Sequence, residues 1–325
     1  MRRINLITWN NERGLGRNVY LLADLLERAG YRVLVNGLAS PYLRHHLYPH
    51  HLPYRVITGS LVRRSRCDIN LFLEYVVPEW LDAARTNCLI PNQEWFRDDY
   101  HSYLPHFDLV LCKTRFAQST FDRLGCKTIF TSFTSLDRLT TTAEKDYGGF
   151  LHVAGNSLQK GTATLVEVWR HHPRWPTLTV VQATRHARPI PAANVRYVTG
   201  RVSDTILRQY QNRHGVHVAP SEAEGFGHSI VEAMSCRSVV VTTDAPPMNE
   251  VISSERGLLA GYNAARPQRL GVNFYVDPDS LAGAVDSVLA MSPAAKTRRG
   301  RCAREWYVQN DRFFRQTLRE VLAHL

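Results

Sequence analysis

The stretch Ala219-Pro220-Ser221-Glu222-Ala223-Glu224-Gly225-Phe226-Gly227-His228-Ser229-Ile230-Val231-Glu232-Ala233-Met234 places a strand end, a glycine-flanked turn and a helix N-terminus in succession. In an open α/β sheet that is where ligands bind, because the helix points unbonded amides at the space beyond the strand. Gly225 and Gly227 let the backbone come close to a ligand, and the amides of the following helix suit a diphosphate. Glu224 lies in the turn and Glu232 one to two turns into the helix, so both carboxylates address one cleft from different depths. Carboxylates accept hydrogen bonds from vicinal hydroxyls, which makes a ribose and a hexose their natural partners. Taken singly, either glutamate would read as a solvated turn charge or a helix-face charge.

Working outward, the same alternation of short apolar strands and amphipathic helices fills the chain. Strands are expected at Phe150–Ala154, Leu178–Gln182, Val195–Val198, Val216–Ala219 and Val239–Thr242, with helices near Thr162–His171, Ser203–Arg213 and His228–Ser235. The first half begins with a strand at Ile4–Trp9, a turn rich in Asn and Gly, a helix from about Asn18 to Ala29 ended by Gly30, and a strand at Tyr31–Asn36. Ile69–Leu73, Thr86–Ile90, Leu109–Cys112 and Thr128–Phe130 continue the buried strands, and the pattern restarts near Asp146-Tyr147-Gly148-Gly149. The expected organisation is two doubly wound α/β halves, 1–147 and 148–305. A last helix at 306–325, with Trp306, Phe313, Phe314, Leu318, Val321 and Leu322, either closes the second half or packs back on the first.

Composition bounds the partners. The chain has 325 residues, 44% of them hydrophobic, which excludes a disordered or fibrous protein and suffices for two cores. A net charge of +11 admits nucleic acid, an anionic membrane surface or phosphorylated small molecules. Only five of the 40 basic residues are Lys, the rest Arg. The six cysteines form no CxxC pair and read as reduced packing residues. No apolar run approaches the ~20 residues needed to cross a bilayer, and Met1-Arg2-Arg3-Ile4 lacks a signal peptide's apolar stretch. A cytoplasmic protein, at most peripheral at the inner membrane face, is expected.

The segment from Glu224 to Glu232 resembles the Glu-x7-Glu signature of retaining nucleotide-sugar glycosyltransferases of the GT-B fold, the family 4-like glycosyl transferases group 1. Gly155-Asn156-Ser157-Leu158-Gln159-Lys160-Gly161 resembles that family's phosphate-binding turn, and Val198-Thr199-Gly200-Arg201-Val202-Ser203-Asp204 its base-holding segment. Asp244 through Ile252 resembles the loop beneath the donor sugar. The resemblance implies an α/β GT-B fold in which two Rossmann-like domains face a central cleft, the second holding the nucleotide sugar. It implies Lys160 on the donor phosphates, Glu232 on the ribose, and Glu224 with Gly225, Phe226 and Gly227 facing the donor sugar and phosphates. Asn156, Val202 and His228 join this donor set. Asn156 stands where the family has an Arg, so Arg13 or Arg17 is expected to supply the second phosphate contact, and Arg237 replaces a customary Gly.

The turn Asn10-Asn11-Glu12-Arg13-Gly14-Leu15-Gly16-Arg17 fits a glycine-rich loop after the first strand, with Gly14 on the donor side and Glu12 and Arg13 on the acceptor side. Pro91-Asn92-Gln93-Glu94-Trp95-Phe96 joins an amide, a carboxylate and an aromatic surface at a strand end, which makes Asn92 and Glu94 acceptor-side candidates. Asp277-Pro278-Asp279 mimics a metal-binding Asp-x-Asp but precedes a helix and reads as an N-cap. No metal site and no cofactor is expected beyond the donor, a UDP-sugar before a GDP-sugar. The expected reaction is metal-independent hexosyl transfer with retention to a glycan or lipid-linked acceptor, with peripheral contact to an anionic membrane. A modified base in DNA is the alternative acceptor, since Arg63-Arg64-Arg66 and Arg298-Arg299-Arg301-Arg304 suit phosphates of either kind. A nucleotide-sugar-binding module without catalysis is the alternative of another class.

Overall fold

A computed structural model describes residues 1–8, 15–36, 67–141, 144–200 and 202–325, and for residues 15–17 the backbone alone. The described chain divides into two units, one of Met1–Phe133 with Arg312–Leu325, the other of Thr134–Asp311.

In the first unit the strands are β1 (Arg3–Ile7), β2 (Arg32–Asn36), β3 (Cys67–Leu73), β4 (Ala84–Ile90), β5 (Leu109–Cys112) and β6 (Thr128–Phe130). They form a parallel sheet in the order β2-β1-β3-β4-β5-β6. Helix α1 (Leu15–Arg28) buries Val19, Leu22, Ala23 and Leu26, the stripe expected of helical periodicity. Helix α2 (Arg115–Arg123) begins at Thr114, whose side chain accepts from the Ala117 amide at 3.0 Å.

An asparagine ladder crosses this sheet. Asn5 pairs with Asn70 and Asn70 with Asn87 in register on β1, β3 and β4. Asn36 donates to Asn5, Asn5 Nδ2 to Asn70 Oδ1 (2.9 Å), and Asn70 Nδ2 to Asn87 Oδ1 (2.8 Å) and the Trp80 carbonyl (2.7 Å). Asn87 Nδ2 ends the run on the carbonyls of Leu81 and His106. All four side chains are buried. A parallel strand covered on both faces is otherwise apolar, so this polar row is sustained only because the amides satisfy one another.

The second unit contains β7 (Asp146–Gly155), β8 (Leu178–Gln182), β9 (Val195–Thr199), β10 (His214–Ala219), β11 (Val239–Thr243) and β12 (Gly257–Ala260). Their order is β12-β11-β10-β7-β8-β9, so the winding reverses between β7 and β10. Helices α3 (Thr162–His171), α4 (Asp204–Arg213), α5 (His228–Ser235), α6 (Met248–Val251) and α7 (Pro278–Ala290) are joined by the start of α8 (Pro293–Ala323). The core sets Phe150 against Trp169 and Trp169 against Trp175 edge to face, at 5.2 and 4.8 Å between ring centroids. Asp277 caps α7 through the Ser280 amide at 2.9 Å.

Three differences from the expected elements have physical causes. Residues 134–141 belong to the second unit, held there by Thr134 on Asp311 (2.8 Å), the Arg138 amide on Ser235 (3.0 Å) and the Thr140 amide on Asn212 (2.8 Å). The last helix starts at 293 and its residues from Arg312 onward cluster with the first unit, where Phe314, Leu318 and Leu322 are buried and Phe314 meets Phe133 at 4.9 Å. An antiparallel hairpin of β13 (Tyr262–Gln268) and β14 (Gly271–Val276) follows β12; Pro267 and an exposed polar strand hide it from periodicity.

Two histidines sit inside the second unit. His152 places Nδ1 at 2.7 Å from the Val218 carbonyl and Nε2 at 2.8 Å from the Thr162 hydroxyl, so Nδ1 carries the proton and Nε2 accepts. Burial pushes His152 down to about 4, aided by nearby Lys160, and burial pushes His217 down to about 3, aided by Lys145 and His214. Below an unfolded-state value near 6.5 the open chain takes up protons that the folded chain refuses, so stability falls as pH falls. Each histidine is expected to remove about 2 kcal/mol between pH 7.5 and pH 5. Urea unfolding at the two pH values measures the loss, and His152→Gln, which keeps a donor and an acceptor, is expected to cancel about half of it.

Candidate active site

The second unit's site forms where the winding reverses. Beyond β7 the turn 156–161 runs into α3; beyond β10 the turn 220–227 runs into α5. The turns are bound together: the Glu222 amide donates to the Gln159 carbonyl (2.9 Å), the Phe274 amide to the Glu222 carbonyl (2.8 Å), and Gln159 Nε2 to Asn273 Oδ1 (3.0 Å). Gly161 makes the approach possible. Its φ is +63°, and a Cβ there would lie 2.1 Å from the Pro220 carbonyl oxygen, where no side chain fits.

This clamp delivers Lys160 to Glu224. The ammonium bonds Glu224 Oε1, which also accepts from Ser221 Oγ at 2.7 Å, and the paired side chains are 15% and 11% exposed. From below, Thr242 Oγ1 donates to the Ala219 carbonyl (2.7 Å) and Thr243 Oγ1 to that of Ser221 (2.8 Å), so β11 supports the turn. Gly227 caps α5 with φ +91°, and a Cβ there would be 3.9 Å from Glu224 Cγ, so the stem of the Glu224 side chain passes close to the helix start. Burial raises the neighbouring Glu222 carboxyl above its ordinary range. A cation, a carboxylate and a helix N-terminus thus share one spot, a combination able to hold an anion next to a hydroxyl-bearing group.

Other expected donor residues lie in the same unit. Glu232 is buried and its Oε2 accepts from Gln211 Nε2 at 2.7 Å. His228 Nδ1 lies 2.7 Å from Ser135 Oγ, and its ring meets that of buried Phe226 edge on. Asn156 is exposed just after β7, and Val202 is half-buried before α4, whose cap is Ser203. Of the basic run near the start of α8, Arg304 bonds Asp137 at 2.6 and 2.7 Å and the Ser235 carbonyl at 3.0 Å, which takes it away from phosphates.

In the first unit, Glu12, Arg13 and Gly14 lie outside the described residues, as do the side chain of Arg17 and the run Arg63-Arg64-Arg66. Asn92 follows β4 and its Oδ1 accepts from Lys113 Nζ at 2.7 Å. Glu94 is buried in the short turn Gln93–Trp95, while Trp95 is half-exposed. Two residues at this edge carry no sequence signal. Lys113, directly after β5, also bonds Glu74 Oε1 at 3.0 Å, and Glu74, directly after β3, has φ +67°, costly for a non-glycine residue. Asn18 Nδ2 reaches the same oxygen at 3.4 Å. Each is one ordinary charged residue after an apolar strand, and only the sheet order unites them.

Among the described residues no helix is long and apolar enough to cross a membrane. A search of curated proteins by sequence finds no match. Solved structures are similar over the whole length: Anabaena Alr3699/HepE in complex with UDP-glucose has a TM-score of 0.76 at 17% identity, with 100% of each chain covered. A glycosyltransferase from Rickettsia africae ESF-5 has a TM-score of 0.72 at 13% identity, covering 98% of this chain and 97% of that one. Sucrose-phosphate synthase from Thermosynechococcus elongatus has a TM-score of 0.68 at 17% identity with full coverage of both. At these identities the likeness establishes the two-domain GT-B fold. Within that fold, residues 189–306, which carry α4, the 220–227 turn and α5, match the family Glycosyl transferases group 1.

Proposed function

We propose that the chain is a hexosyltransferase that moves a sugar, with retention and without a metal, from a nucleoside diphosphate sugar to a glycan or lipid-linked acceptor. The observation that carries this reading is the Lys160–Glu224–Ser221 cluster at the N-terminus of α5, where the sheet winding reverses. The leaving diphosphate gains negative charge as the glycosidic bond breaks. Lys160 and the first-turn amides of α5 meet that charge in a partly dry site, where fixed dipoles count for more than in water. Glu224 faces the sugar hydroxyls and Glu232 the ribose. In front-face substitution the departing phosphate takes up the acceptor's proton, so no protein nucleophile is required.

UDP as the nucleotide is supported by the UDP-glucose bound to the structurally similar Anabaena protein. The first unit supports an acceptor recognised by its hydroxyls. At the carboxyl edge of its sheet the Lys113 side chain is 1% exposed and committed to Glu74 and Asn92, and Glu94, two residues after Asn92, is buried. Arg115 lies over the Phe130 ring at 3.9 Å and bonds Gln118. Such an edge suits a sugar better than a polyanion, which sets the DNA acceptor second.

Incubation with a panel of UDP- and GDP-sugars, with proton NMR of the released or transferred sugar, tests the reading. The expected result is turnover of a UDP-sugar to a product of unchanged anomeric configuration, unaffected by EDTA. An inverted product overturns retention, and loss of activity in EDTA overturns metal independence. Binding without turnover across donors and acceptors would make the chain a binding module.

A further inference from the structure

We infer that Gln211 is the positioning residue of the nucleotide's ribose site: held by Arg138, its amide sets the Glu232 carboxylate in the orientation that accepts a vicinal diol. The inference rests on the reading of Glu232 as the ribose carboxylate.

Gln211 lies in the last turn of α4, 1% exposed, with both ends of its amide assigned. Its Oε1 accepts from Arg138 Nε at 2.8 Å, and because a guanidinium only donates, that end must be the carbonyl. Its Nε2 is therefore the donor to Glu232 Oε2 at 2.7 Å. Arg138, 3% exposed, sends its other donors to Asp204: Nη1 lies 2.9 Å from both carboxylate oxygens and Nη2 3.0 Å from the carbonyl. The guanidinium charge is thus answered by Asp204, whose side chain is 61% exposed, and the neutral amide of Gln211 stands between Arg138 and Glu232.

That arrangement separates orientation from neutralisation. A guanidinium placed directly on Glu232 would take both oxygens in a fork and compete with any ligand hydroxyl. The amide holds one oxygen and so helps to set the carboxylate plane, since the last torsion of a glutamate is broad. The backbone is braced to match. The Arg138 amide donates to Ser235 Oγ (3.0 Å), which donates to the Glu232 carbonyl (2.7 Å). The Arg138 carbonyl accepts from Asn212 Nδ2 (2.7 Å) and Arg208 Nε (2.9 Å). Residue 138, α4 and α5 therefore hold Glu232 from its side chain and its main chain together.

The test is calorimetry with UDP against 2′,3′-dideoxy-UDP, and GDP against 2′,3′-dideoxy-GDP, read on the base that the wild type binds. Hydrogen bonds to a charged group contribute about 1.5–3 kcal/mol, so the wild type is expected to prefer the ribonucleotide at least tenfold. Gln211→Met, similar in volume but unable to hydrogen-bond, is expected to lose most of that preference while binding the dideoxy ligand within about twofold of wild type. An unchanged preference, or equal weakening for both ligands, overturns the positioning role. A wild type that binds both ligands alike overturns instead the ribose reading of Glu232, and the inference with it. If Gln211→Met does not fold, Gln211→Asn, one methylene shorter, is read in the same way.

Discussion

Lys160→Ala is expected to lower kcat/KM for the donor by about 10²–10³, the range found when one preorganised donor to a developing negative charge is removed. The side chain is positioned before any donor arrives, because the clamp at Gly161 and the bond to Glu224 fix the ammonium beside the start of α5. In the proposed reaction, little reorganisation is then needed when charge builds on the leaving phosphate. Truncation also removes the cation that offsets the Glu224 carboxylate, whose negative charge then repels a diphosphate. Lys160 lies outside the apolar core, so little packing is lost, but removing one partner of a largely buried ion pair also lowers stability. Donor kinetics with a thermal melt measure the two separately. Turnover within tenfold of wild type at an unchanged melting temperature would remove Lys160 from the phosphate site.

The largest expected effect on stability belongs to the first unit. Asn70→Leu keeps the volume of a buried strand residue but strands three groups: the Trp80 carbonyl, Asn87 Oδ1 and Asn5 Nδ2. A buried polar group without its partner costs about 1–3 kcal/mol, so the substitution is expected to remove at least about 3 kcal/mol from a domain whose whole stability is of order 5–15 kcal/mol. Hydrogen exchange reads this within one molecule. Protection of the β1, β3 and β4 amides is expected to fall at least a hundredfold while that of β7 and β10 stays put. A loss below tenfold would mean that the ladder is dispensable.

Those two sites mark what the sequence made legible. Lys160 and Glu224 stand in glycine-bearing turns after strands and Glu232 lies in the helix that follows the second turn, so their type and spacing point to the fold and to the proposed donor site. The sheets were readable for the same reason, as apolar runs separated by amphipathic helices. Asn5, Asn70 and Asn87 were not, because each looks like a flaw in its own strand, and their partnership exists only in the register between strands. Glu74 and Lys113 are 39 residues apart and meet because β3, β4 and β5 are neighbours. Gln211 and Arg138 share no motif, since a side chain that serves through another needs no fixed spacing from it. The hairpin of β13 and β14 escaped because one of its strands is polar and exposed on nearly every residue.

The chain passes from the first unit to the second after Phe133 and returns to it at Arg312. Synthesis therefore delivers residues 134–311 before the segment that brings Phe314 to Phe133 and lets Arg2 reach the Leu322 carbonyl at 3.2 Å. The sheet that emerges earlier from the ribosome has to wait for its last helical turns until the whole of the later unit has been translated, although domains as a rule fold as they emerge. A gene cut after codon 133 yields a unit with an open apolar seam, whereas a fusion that rejoins 312–325 to it restores the missing cover.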